Sequence, residues 1–374
     1  MNKSLCVILV FIALIIFSGC TKEQTCTVTE KDGVKTYMNK NIPTVEKLDF
    51  NPVKKFALNT DPESENFLSF IDLDMIGVDN KNNIYIGDMF KPKINKYDNN
   101  GNFVTTFCRK GNGPGEVGAV SFVCVKNDTI YVGDWETSSI SLFNDQGEFL
   151  YEVQPAGALF QVKSVGKDKF VGSMFSNEVI NGENIMKRES ILLNNSFLPI
   201  KVLDKVLPSD GRSDLQDEWI HVTVSRDRIY LGVNDKYVYK INAFDFSGCL
   251  VETVMKSYLA VNFTKIEQEK MNQYLVTMGD NSGRRVNVDK KHAVNGIFID
   301  KNSNLLVHPA VNTEKGNTDG IVLDYFKDNV YLNTAVLKTD KEYYFSDYKV
   351  FLRLFNDRMY VINSAENIVE VYEY

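Results

Sequence analysis

The oxygen donors that merit testing first are Asp88, Asp134, Asp300 and Asn363, each at the end of a short apolar run. Carboxylate and amide oxygens of this kind can ligate a hard cation such as calcium. The same side chains can instead accept backbone N–H bonds two residues on and cap a turn, and position alone does not separate the two uses. The three histidines, His221, His292 and His308, lack the close pairing of a zinc site. No Gly-x-Ser-x-Gly elbow is present, although a Ser-His-Asp triad is a matter of geometry rather than of order. Gly111-Asn112-Gly113-Pro114-Gly115 could cradle a phosphate on its backbone amides. It continues as Glu116-Val117 rather than Lys-Ser/Thr, so a tight connecting turn is the better reading.

Aromatic side chains are the other candidates. Phe90, Trp135, Trp219, Tyr343, Tyr344 and Phe345 could stack a ligand or anchor an interface, or could simply pack. Arg284-Arg285 and Lys290-Lys291 form a local basic cluster that reads as a solvated face.

The elements that must position these residues come from an internal repeat. Ile84-Tyr85-Ile86-Gly87-Asp88 recurs as Ile130-Tyr131-Val132-Gly133-Asp134. Looser copies start at Lys169, Ile229, Leu305 and Met359, which makes six. A short apolar strand and a polar turn precede each copy, as in Met75-Ile76-Gly77-Val78 with Asp79 to Asn83. Two strands joined by a turn of the type Asn99-Asn100-Gly101 or Asp145-Gln146-Gly147 follow, and these residues accept the positive φ of a hairpin. The unit is a four-stranded antiparallel meander. Six of them predict an all-β, six-bladed β-propeller.

The last copy has only three strands before the chain ends, while residues 52–58 have strand composition and no partner. Placing that N-terminal strand on the outer edge of blade six closes the ring. One segment departs from the β pattern. Thr264-Lys265-Ile266-Glu267 is a capping box, followed by Met271, Tyr274, Leu275 and Met278 on the Ile266 face and by Gly279 as a stop, which predicts a helix within an insertion at about 255–295.

Asp79-Asn80-Lys81-Asn82-Asn83-Ile84-Tyr85-Ile86-Gly87-Asp88 resembles an NHL-type repeat. Gly111-Asn112-Gly113-Pro114-Gly115-Glu116 resembles the interblade linker of TolB-like, six-bladed propeller lipoproteins of Bacteroides and related bacteria. The resemblance spans residues of about 45 to 374. It implies a propeller in the cell envelope and carries no established activity.

The N-terminus agrees with export. Lys3, the apolar run from Leu5 to Phe17 and Ser18-Gly19-Cys20 read as a lipoprotein signal peptide over residues 1–19. The run is shorter than the ~20 residues a spanning helix needs. Cys20 is the expected lipidation site, residues 20–44 a lipid-anchored tether and residues 45–374 the propeller, on a protein of the envelope and of the outer membrane in particular. The net charge of −7 disfavours nucleic acid as a partner. Cys26, Cys108, Cys124 and Cys249 are expected to be mostly free and buried, with Cys108 and Cys124 on strands too far apart to bridge.

The expected function is that of a non-enzymatic scaffold that recognises a protein, peptide or glycan without a cofactor. Two alternatives stand beside it: a calcium-dependent hydrolase or lactonase using the central channel, and a structural subunit of an outer-membrane complex. Long insertions, at about 174–187, 204–219, 255–295, 311–320 and 338–348, all fall on one face of the disc. Insertions gathered on one face of a repeat protein mark a binding surface. Phe90, Arg109, Trp135 and Glu136 belong to that face by strand count and are the expected ligand-binding residues.

Overall fold

A computed structural model describes residues 24–180, 183–206, 221–277, 289–312, 320–339 and 350–374. The signal peptide, Cys20, Trp219, Arg284, Arg285, Tyr343, Tyr344 and Phe345 lie outside the described residues.

Alternation of side chains along the repeated strand explains the architecture. In Ile84–Gly87 the two isoleucines face the core between blades six and one, and Tyr85 faces the core between blades one and two. In Thr129–Asp134, Ile130 and Val132 turn back to blade one while Tyr131 packs toward blade three. A strand of period two that is apolar on both faces must be covered on both sides. A ring of blades covers every one of them, and each large side chain removed from water contributes roughly 1.5–3 kcal/mol.

Six four-stranded antiparallel blades result. Their innermost strands are Ile76–Val78, Val120–Lys126, Leu159–Val165, His221–Val224, Val294–Ile299 and Val350–Phe355. Blade six is completed by Val53–Leu58, which pairs antiparallel with the last strand, Ile368–Glu373, as expected from the orphan strand at the N-terminus. The outer hairpins use a repeated device. Asp98, Asn144, Asn194 and Asp245 each accept two backbone N–H groups of the turn that follows. Gly101 and Gly147 close two of these turns at φ of 84° and 83°, where a Cβ would also meet the rings of Phe56 and Phe107.

Several expectations need correction. Within the expected tether, Cys26–Lys31 and Val34–Asn39 form a hairpin, and its second strand lies parallel to Leu250–Lys256 as a fifth strand of blade four. Asn39 locks it in place, donating to Met255 and Asn329 carbonyls and accepting from the Tyr331 amide. Nothing in the polar composition of residues 24–39 shows this, because the pairing partner is over two hundred residues away.

The capping box forms, with Thr264 N bonded to Glu267 Oε2 at 2.8 Å and Glu267 N to Thr264 Oγ1 at 3.2 Å, at the start of the helix Lys265–Thr277. Ile266 is nevertheless 66% exposed. Glu267 takes the buried position because Lys291 pairs with it at 2.6 Å. Gly279 lies outside the described residues.

The cysteines are free, but only Cys124 is buried; Cys26 and Cys108 are half-buried and Cys249, on an outer hairpin, is exposed. The insertion at 174–187 is largely strand. Lys169–Ile180 and Glu183–Asn194 stay paired throughout, although the innermost strand of blade three accompanies them only as far as Met174. The outer strand Pro199–Val206 follows to Arg188, opposite Phe175, and beyond it the hairpin is, among the described residues, a two-stranded arm about 16 Å long at ~3.3 Å per residue.

Candidate functional site

On the insertion-bearing face, the strand-end aspartates brace the backbone. The fully buried Asp88 carboxylate accepts from Ser69 N at 2.5 Å, Ser69 Oγ at 2.9 Å, Phe90 N at 3.1 Å and Lys91 N at 3.0 Å. Asp134 accepts from Gly118 N, Ala119 N and Glu136 N at 2.9–3.1 Å. Each thereby ties the second-to-third-strand turn to the segment that leads into its blade. Asn363 caps Ala365 and Glu366 in the same way. Asp300 sits at the opposite end of its blade, where it accepts from Asn302 N, Asn304 N and the Tyr325 hydroxyl. The four candidate oxygen donors thus serve turns and strand ends, and Asp300 lies at the other end of its blade from Asp88, Asp134 and Asn363. Among the described residues no group of three or more His, Cys, Asp or Glu side chains could hold a metal ion.

These braces present aromatic side chains to solvent. Phe90 is 55% exposed, its ring centroid 4.8 Å from that of Phe70. Trp135 is 47% exposed and lies 4.7 Å from Phe160, which lies 5.4 Å from Phe175 at the foot of the arm. Trp135, Phe160 and Phe175 thus form a row across blades two and three. Glu136 is exposed beside it and its carboxylate lies directly over Gly118. Arg109 is exposed but committed to Glu116, its Nε 2.8 Å from Oε1. Glu116 also accepts from Gly113 N at 2.9 Å. The chain's own carboxylate occupies the Gly-rich segment, which is the expected interblade turn, and these bonds hold Glu116 below the usual carboxylate range.

The central channel contains groups that the repeat pattern did not single out. A cavity of about 520 Å³ opens at the tight-turn end and runs inward past Asn80, Ser225, Lys301 and Asn356 to Asp74, Lys163 and Arg353. Asp74, just before the inner strand of blade one, pairs with Arg353 of blade six at 2.5 Å, and the two side chains are 15% and 13% exposed. Lys163 projects from blade three into the same cavity. Desolvation, then the Arg353 charge, pull its ammonium down to about 7. Desolvation also lifts Asp72 to about 6 and Cys124 to about 11. His221 is pushed down to about 3 by burial, then by the neighbouring His292 and Arg188. The histidines that look scattered in sequence therefore lie near enough for the charges of His292 and His308 to act on His221. A signal did exist: Lys163 and Arg353 are lone cations within otherwise largely apolar inner strands, Leu159–Val165 and Val350–Phe355.

No family model and no curated protein matches the chain. Solved structures do. A protein of Bacteroides fragilis with the provisional description of exported protein superposes with a TM-score of 0.52 at 12% identity, over 90% of this chain and 98% of that one. A member of the DUF4221 family from Bacteroides vulgatus matches at 10% identity and a TM-score of 0.48, over 86% and 97%. Virginiamycin B lyase from Staphylococcus aureus matches at 9% identity and 0.42, over 82% and 98%. At such identities the likeness is one of fold, the propeller.

Proposed function

We propose that this chain is a non-enzymatic binding scaffold of the cell envelope that recognises a protein, peptide or glycan on its insertion-bearing face. The observation that carries the reading is the aromatic row at the foot of the arm, in which the exposed Trp135 packs on the half-buried Phe160 and Phe175. Large aromatics held on braced turns offer contact area at little entropic cost. The arm favours a peptide strand over a glycan. Beyond Met174, among the described residues, Lys169–Ile180 pairs on one side alone, and such an edge can accept an extended segment.

Cys20 is the proposed anchor, and Cys20→Ala should release the protein from the membrane fraction. Photo-crosslinkers at Trp135 and Val179 in the full chain should capture one discrete envelope component, while a crosslinker at Gln146 on the opposite face should capture none. Capture from Gln146 alone would overturn the assignment of the face.

A further inference from the structure

We propose that the central channel is a binding site for a small oxyanion, held between Lys163 and Arg353 and entering from the tight-turn end. The charges that line the cavity are Lys163, Arg226, Lys301 and Arg353 against Asp74 and Asp300, an excess of cations in a chain of net charge −7. Both carboxylates are already engaged. Asp300 serves its turn and Asp74 pairs with Arg353. Of the cations, Lys301 donates to the Tyr374 carbonyl at 2.6 Å, and Arg353 donates to Asp74 and to the Leu352 carbonyl. Among the described residues Lys163 and Arg226 have no acceptor or carboxylate within bonding distance; Arg226 is exposed and solvated at the mouth, which leaves Lys163 as the half-buried cation without a partner.

An unpaired ammonium that is half-buried in the channel is favoured to lose its proton or to acquire an anion, since even partial desolvation of an unpaired charge is costly. Arg353 cannot deprotonate and supplies a second, permanent charge from the facing blade. Ser164, Thr223 and Ser303 add hydroxyl donors along the wall. The volume falls in the range of small-molecule sites. A carboxylate or a phosphate group satisfies the same donors, so the chemistry assigns the oxyanion and leaves its carrier to experiment.

Binding should draw a proton onto Lys163. The groups whose charges reach it are Arg353, Asp74 and Cys124, and Asp72 and His221 interact in turn with Arg353. Cys124, raised to about 11, and His221, lowered to about 3, hold one protonation state between pH 6.5 and 8.5, and Asp72 titrates mainly below that window.

The test is titration calorimetry of the full chain in detergent with sulfate and with oxalate, dianions that do not titrate in this range. Binding at one site is expected, with affinity falling roughly twentyfold from pH 6.5 to 8.5 as free Lys163 loses its proton. Lys163→Met should weaken binding at least tenfold at pH 6.5. Lys163→Arg should retain it and abolish the pH dependence. Preference for sulfate identifies a tetrahedral, phosphate-like group and preference for oxalate a planar carboxylate; either supports the site. Binding that survives Lys163→Met unchanged, binding to Lys163→Arg that keeps the full pH dependence, or no binding of either ion at pH 6.5, overturns it.

Discussion

The two ends of the disc solve opposite problems. On the insertion-bearing face the strand-end carboxylates Asp88 and Asp134 are satisfied by backbone amides, and the turns that they brace expose the aromatics Phe90 and Trp135 beside charged side chains such as Glu136. In the channel the apolar residues are turned into the interblade cores and what remains is charge: Asp74, Lys163 and Arg353. The difference follows from blade geometry. Inner strands converge on the axis, so a polar side chain there is enclosed by neighbouring blades, whereas turns at the rim face bulk water. One end is equipped to bury apolar surface against a large partner. The other is equipped to neutralise a small charged one.

The largest effect should come from the channel. Asp74→Ala leaves Arg353 without its partner in a site where both were largely buried, and should cost about 3 kcal/mol in urea denaturation. A loss under ~0.5 kcal/mol would mean that channel water screens the pair as completely as it screens a surface one.

Next comes recognition. Trp135→Ala should weaken partner binding by about 2 kcal/mol, roughly thirtyfold, while changing stability little, because the ring is half in solvent. Gln146→Ala should leave binding intact. The matching control at residue 82 is Asn82→Gly rather than Ala, since Asn82 holds a φ of 63° that a Cβ disfavours. Loss of binding in the controls and not in Trp135→Ala would reverse the roles of the two ends.

The third test is pH, and its sign separates two channel groups. Lys163 has a folded pKa of about 7 against the ordinary lysine value of 10.5, so between these values the unfolded chain binds more protons and stability rises with pH. Asp72, at about 6 against 3.8, does the reverse: the folded state binds more protons, and stability falls as pH rises from about 4 to 6. Lys163→Met should flatten the first limb and Asp72→Asn the second. Each limb should amount to about 1–2 kcal/mol, below the full value of the shifts because channel water reaches both groups.

The smallest effect should be at the rim. Arg109→Ala removes an exposed ion pair and should change stability by under ~0.5 kcal/mol. A larger loss would show that the Glu116 clasp organises the interblade turn more than its exposure implies.

The fold was legible because a blade must satisfy local rules. Ile84-Tyr85-Ile86 and its copies carry the alternation of a strand covered on both faces, Gly101 and Gly147 mark the hairpins, and the orphan Val53–Leu58 was placed by the need to close the ring. Part of the proposed binding face was legible for the same reason. Phe90 and Trp135 sit two and one residues after the strand-end Asp, and turn residues at that point face solvent.

By itself, then, the sequence determined six blades, their strand order and which turns share a face, since all of these depend on neighbours within a few dozen residues. Tertiary structure alone decided the rest. The parallel attachment of Val34–Asn39 to Leu250–Lys256 and the meeting of Asp74, Lys163 and Arg353 from blades one, three and six both join residues distant in sequence. Periodicity reports whether a side chain is covered. It does not report which distant side chain covers it, and the channel's electrostatics reside in that pairing.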